Sequence, residues 1–327
     1  MRRRIRANAA TLGLTAVAVV AVLMAALVFI NAGGMKLATG ASEVGPFPRD
    51  FTDIRKVPVA AEPVPGPDAS RGTVTQDCGR NQEEHRNADN VVVSPGLPQG
   101  AHHTHDYVGN LSTTAFSTDK SLARASTTCR NGDRSTYYWP VLRRQDRPGP
   151  TGAYHGNIGQ ILDPVSVTVQ YLGNPASAVV PMPRFLRMLT GDPVAGTVGT
   201  AHAHAQWGCS GFPGRLTMQY PRCPAGSRTL RRLDFPSCWN GLDTDSFDHR
   251  THVVFPAAGG VCPPGTFPVP QVRIEVAYDV APGVPIALDA FEEQKHNPDT
   301  DHAGFVDVMT DRQMAAVVTC LNDGRHC

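Results

Sequence analysis

The sequence predicts a mainly β protein: one large β-sandwich or jelly-roll-like domain with few short helices, stapled by disulfides and preceded by an apolar amino-terminal helix and a proline-rich linker. Three observations carry this expectation. Apolar and polar residues alternate in short runs, as in Ser166-Val167-Thr168-Val169-Gln170-Tyr171 and Val272-Arg273-Ile274-Glu275-Val276-Ala277-Tyr278, the pattern of strands with one buried face. Glycine and proline number 31 and 28 in 327 residues, which interrupts the chain too often for long helices. Eight cysteines (Cys78, Cys129, Cys209, Cys223, Cys238, Cys262, Cys320 and Cys327) all follow the apolar segment. In an oxidising compartment they read as up to four disulfides.

Taken in order, residues 1–10 form a basic segment with four arginines in the first six positions. Residues 11–30 carry no charge, and twenty residues at 1.5 Å rise span about 30 Å, enough to cross a bilayer. The preceding arginines favour a cytoplasmic amino end and an exported body. The apolar run reads either as an uncleaved signal-anchor or as a signal peptide cleaved near 37–41. Residues 31–75, with VGPFPRD and VPVAAEPVPGPDASRG, have the composition of an extended spacer. Residues 76–327 then suit a single domain.

Within that domain Val91–Val93, Leu216–Tyr220 and Val253–Phe255 are shorter strand candidates. The clearest helix comes last. Thr310-x-x-Gln313 can form a capping box, and Met314, Val317, Val318 and Leu321 share one face. Cys209–Cys223, Cys238–Cys262 and Cys320–Cys327 are plausible local pairs, although spacing alone does not decide connectivity.

A net charge of +1 gives no reason to expect nucleic acid as a partner. No C-x-x-C, G-x-S-x-G, H-E-x-x-H or P-loop occurs, which removes the common thiol, serine-hydrolase, zincin and nucleotide signatures. The candidate chemistry lies in histidine. Nine of the twelve histidines fall in four short segments: His102-His103-x-His105, His202-x-His204, His249-x-x-His252, and His296 to His302. In an extended segment His103 and His105 point the same way. The densest stretch is FPSCWNGLDTDSFDHRTHVVFP (235–256), with Asp243, Asp245 and Asp248 beside His249 and His252. Imidazole and carboxylate bind divalent cations and move protons near neutral pH. The bland alternative is that isolated histidines are ordinary surface or core residues and that these aspartates cap turns. Trp139, Trp207 and Trp239, with Tyr137, Tyr138 and Tyr154, are candidates to stack on sugar rings or simply to fill the core.

GAHHTHDYVGN (100–110), TTCRNGDRSTYYWPVL (127–142), PRFLRMLTGD (183–192), WGC (207–209), the 235–256 stretch and the closing VVTCLNDGRHC together resemble the DUF1996 family, a set of secreted proteins of unknown function. The resemblance implicates His103, His105, Tyr138, Trp139, Asp248, His249, His252 and His302. One departure stands out: where the family pattern has His-Ala-Asp, this chain reads His302-Ala303-Gly304; if that aspartate is a ligand or proton carrier, Asp301 or Asp307 must substitute, or the protein is impaired. Some fungal relatives carry carbohydrate-binding modules, which implies polysaccharide as the substrate class.

The resulting expectation is an extracytoplasmic protein, membrane-anchored or secreted, that acts on extracellular or cell-wall polysaccharide as a hydrolase or lyase. His103, His105, Asp248, His249, His252 and His302 would do acid/base work. His103, His105, Asp245, His249 and His252 would hold a divalent metal such as zinc, calcium or copper. Tyr138, Trp139, Trp239 and Arg187 would contact sugar. The alternative is a non-catalytic glycan-binding or metal-binding module of the cell envelope. Five histidines (103, 105, 249, 252 and 302) are expected in one cleft.

Overall fold

Two five-stranded antiparallel sheets organise the chain in the computed structural model, which describes residues 44–149 and 156–327. The apolar run 11–30 and Tyr154 lie outside the described residues. Among the described residues no helix is long and apolar enough to cross a membrane. The first sheet runs in the order Gln206–Cys209, Thr229–Asp234, Gln271–Tyr278, Ser166–Leu172, Thr73–Gln76. The two alternating runs singled out in the sequence are its adjacent central strands. The second runs Arg86–Asn87, His105–Gly109, Thr136–Pro140, His302–Val306, Arg187–Gly191.

One core joins them. Val169, Tyr171, Val272, Ile274 and Val276 from the first sheet cluster with Val108, Tyr137, Trp139 and Phe305 from the second. Phe305 contacts the rings of Tyr137, Tyr171 and Phe235 at centroid distances of 5.2, 6.4 and 6.1 Å. Each such buried side chain contributes roughly 1.5–3 kcal/mol. The chain is thus mainly β with few helices. The longest described helix, Asp311–Asn322, starts with the expected capping box of Thr310 and Gln313 and buries Met314, Val317, Cys320 and Leu321.

Four disulfides close the fold: Cys78–Cys129, Cys209–Cys223, Cys238–Cys262 and Cys320–Cys327. No cysteine is free, a pattern of oxidising, extracytoplasmic surroundings.

Two expectations need correction. Residues 44–75 are not a spacer held away from the domain. Residues 44–327 form one unit, with Phe51–Asp53 paired in parallel to Tyr220–Arg222 and Ile54 fully buried. Proline density favours an extended path, but Phe51, Ile54 and Val57 supply apolar anchors that bind this path to the domain. Val91–Val93 is a turn rather than a strand: the Asn90 side chain accepts hydrogen bonds from the Val92 and Val93 amides, and so competes with sheet pairing.

Candidate metal centre

The second sheet builds a site at one end of its outer face. His105 pairs opposite Pro140, and Tyr138 pairs opposite Gly304. Continuing that register places His302 level with Pro140 on its other side. The two histidines therefore flank a proline whose compact side chain leaves their rings room to meet. His103, two residues before His105, completes the group. The Nε2 atoms lie 3.2 Å apart for His103 and His105, 3.1 Å for His103 and His302, and 3.4 Å for His105 and His302. Among the described residues, these three form the group whose ligand atoms all lie within 4.8 Å of one another.

Backbone acceptors set the tautomers. His105 Nδ1–H donates to Asp89 O at 3.1 Å and His302 Nδ1–H to Thr300 O at 2.8 Å. A carbonyl only accepts, so each neutral ring presents its Nε2 lone pair to the common point. His103 Nδ1 is buried without a partner. Burial is the first cause that drives the His103 and His105 pKa values well below the ordinary imidazole range and lowers His302 to about 4. His105 and His302 turn two Nε2 lone pairs toward His103 Nε2, and nitrogens this close need a proton or a cation between them. The group can thus hold a metal ion, leaving a fourth position open in a tetrahedral arrangement.

Two buried ion pairs and one half-buried pair fix the segments that carry these rings. Asp106, next to His105, pairs with Arg86 at 2.7 Å. Asp301, next to His302, pairs with Arg231, both side chains fully buried. Asp289 pairs with Arg143 and also accepts the Thr104 amide between His103 and His105. Removing one partner of such a pair costs roughly 3–5 kcal/mol. Sequence reasoning missed Asp106, Asp289, Arg143 and Arg231, although His105-Asp106 and Asp301-His302 are visible as neighbours. The site has little exposure: 4% for His103, 0% for His105 and 6% for His302. The ring of Phe291 stands edge-on to His103 at 5.3 Å and lies 5.7 Å from His102.

The remaining sequence candidates lie elsewhere. His252 donates Nε2–H to Arg187 O at 2.6 Å, and its Nδ1 lies 2.9 Å from Ser246 Oγ. Both ring nitrogens are therefore engaged. Arg187 sits opposite Val306, four residues along the strand from His302 opposite Gly191, a separation of roughly 13 Å. His249 Nδ1 lies 2.9 and 3.1 Å from the two oxygens of Asp245. Asp248 closes a turn: its Oδ1 accepts from Ser246 Oγ, the amides of Arg250 and Thr251, and Thr251 Oγ1. Those bonds hold its pKa far below the carboxylate range. The five-histidine cleft thus becomes a three-histidine centre, with Asp245, Asp248, His249 and His252 in a neighbouring loop.

Nor do the proposed sugar contacts all face solvent. Tyr138 and Trp139 are fully buried. Tyr138 stacks on Tyr107 at 5.3 Å, stands edge-on to His105 at 5.2 Å and donates to Asn90 Oδ1. Arg187 is paired with Asp119 at 2.7 Å, and Trp239, partly buried, donates to Asp243 O.

Gly304 has a local explanation. A Cβ there would lie 2.0 Å from Tyr138 Cζ, so the tyrosine ring fills the space a side chain would need. Asp301 and Asp307 do not replace the missing carboxylate. Asp301 is held by Arg231. Asp307 lies in a separate buried network with Ser135, and burial raises its pKa well above the usual value.

No curated protein and no solved structure matches the chain. The family described as Domain of unknown function (DUF1996) matches over residues 90–304, a span that holds all three converging histidines. Since that match covers well over half of the 327 residues, the chain belongs to the DUF1996 family.

Proposed function

We propose that this is an extracytoplasmic metalloprotein that acts on extracellular polysaccharide as a hydrolase or lyase, with His103, His105 and His302 as ligands of one divalent transition metal. The observation that carries the reading is the convergence of three buried Nε2 atoms within 3.1–3.4 Å. Three imidazoles suit zinc or copper. Calcium takes six to eight oxygens, and none of the three residues offers one. Such an ion supplies Lewis acidity and lowers the pKa of water. The chain contributes fixed ring orientation through the Asp89 and Thr300 carbonyls and rigid segments through the three Arg–Asp pairs. Two five-stranded sheets around one core support a β-sandwich reading of the domain. The four disulfides support export, and the apolar run 11–30 supports a tether or a cleaved signal.

Low exposure of the ligands favours a second reading, a metal-stabilised glycan-binding module without turnover. One experiment separates the two. Purified protein, with and without zinc or copper, is incubated with cell-wall polysaccharides, and reducing ends and unsaturated products are measured. Metal-dependent release that His105→Ala abolishes supports the enzyme. Metal-dependent folding without any release supports the binding module.

A further inference from the structure

The loop beside the centre carries a cation with no close carboxylate. Arg250 is half-buried, and its guanidinium donates to Gly191 O at 2.8 Å. Eleven described arginines have a carboxylate oxygen within 4.0 Å; Arg250 is one of those that have none among the described residues, and one of the few of these that are half-buried. Asp192 and Asp248 act on it at longer range. Each has its Oδ1 engaged, Asp192 with the Val194 amide and Asp248 with its own turn. Burial is the first cause acting on the guanidinium and lowers its pKa against the pull of those two acids.

Its position gives the charge a use. Gly191 lies directly opposite His302, and the Arg250 charge reaches the His302 ring. His302 and His103 are the two centre histidines that retain some exposure. Guanidinium has five donors in a planar fork that matches paired anionic oxygens, and one accounts for the Gly191 contact.

We propose that the centre takes a glycan bearing an anionic substituent, a carboxylate or a sulfate ester, and that Arg250 pairs with that group beside the metal position. The glycan itself rests on the function proposed above. The charge preference rests on Arg250.

The test uses the full chain loaded with zinc chloride. Calorimetric titration compares an oligogalacturonate, a sulfated galactan oligosaccharide free of uronate, and a neutral cello-oligosaccharide. At least one anionic ligand should bind, the two arms showing which group is read, and the neutral one should not. Arg250→Gln should weaken that binding roughly ten- to a hundredfold, the size of one lost charge-assisted pair. Arg250→Lys should fall between, and Arg130→Gln, at an exposed arginine already paired with Asp77, should match the native protein. Zinc affinity of Arg250→Gln should stay within about threefold, which shows that the centre is still formed. Equal binding of the neutral sugar, or anionic binding indifferent to Arg250→Gln, would overturn the proposal. Zinc uptake without Arg250-dependent anion binding sinks this pairing alone. Anion binding without zinc uptake sinks the metal reading and leaves the pairing standing.

Discussion

The centre of His103, His105 and His302 and the loop from Asp243 to His252 have much the same residue types, yet they spend them differently. In the centre, two rings give Nδ1–H to backbone carbonyls and turn Nε2 inward. In the loop, His252 uses both nitrogens on Ser246 and Arg187, Asp248 closes a turn, and Asp245 holds His249. Density of histidine and aspartate is therefore a poor guide to a metal site. His252 is removed by having both ring nitrogens engaged, whereas His249 is removed by position, since it is not in the group whose ligand atoms lie within 4.8 Å of one another.

The largest expected contrast is in metal affinity. His105→Ala or His302→Ala should lower zinc affinity at least a hundredfold in equilibrium dialysis, whereas His249→Ala should change it less than about threefold. Equal losses from both regions would erase the distinction drawn here.

Stability should separate the supports of the two regions. Asp301→Ala leaves Arg231 buried without its partner and should cost about 3–5 kcal/mol in urea unfolding. His252→Ala should cost about 1–3 kcal/mol by stranding the Arg187 carbonyl, with zinc binding intact. His249→Ala, at a partly exposed pair, should cost less than about 1 kcal/mol.

A further effect is one of pH. His302 has an ordinary value of 6.5 and a folded value of about 4. Between these the unfolded chain binds more protons, so metal-free stability should rise with pH across that window and level off above it. Urea midpoints of metal-free protein from pH 4 to 8 would check the slope. His302→Ala should make it shallower, the remaining slope belonging to the other buried rings of the centre, His103 and His105.

Local chemistry made part of this legible in the sequence. The alternating strands and the Thr310 capping box follow from patterns a few residues long. His103 and His105 were readable because a two-residue step puts both on one face. That His302 joins them, rather than His249 and His252, depends on a register running through Tyr138 and Gly304, which pairs residues 166 positions apart in number. The buried partners Arg143 and Arg231 were not legible for the same reason: their acids lie 146 and 70 residues away. Residues 44–75 misled because proline density reports an extended path, not whether Phe51 and Ile54 find a surface to bury against.

The most direct test of the central claim is X-ray absorption on zinc-loaded protein and its histidine variants. One zinc per chain is expected, with three nitrogen ligands at about 2.0–2.1 Å, a shell that loses one nitrogen in His302→Ala and is unchanged in His249→Ala. Failure to bind stoichiometric zinc, or a shell that changes in His249→Ala and survives in His302→Ala, would contradict the account.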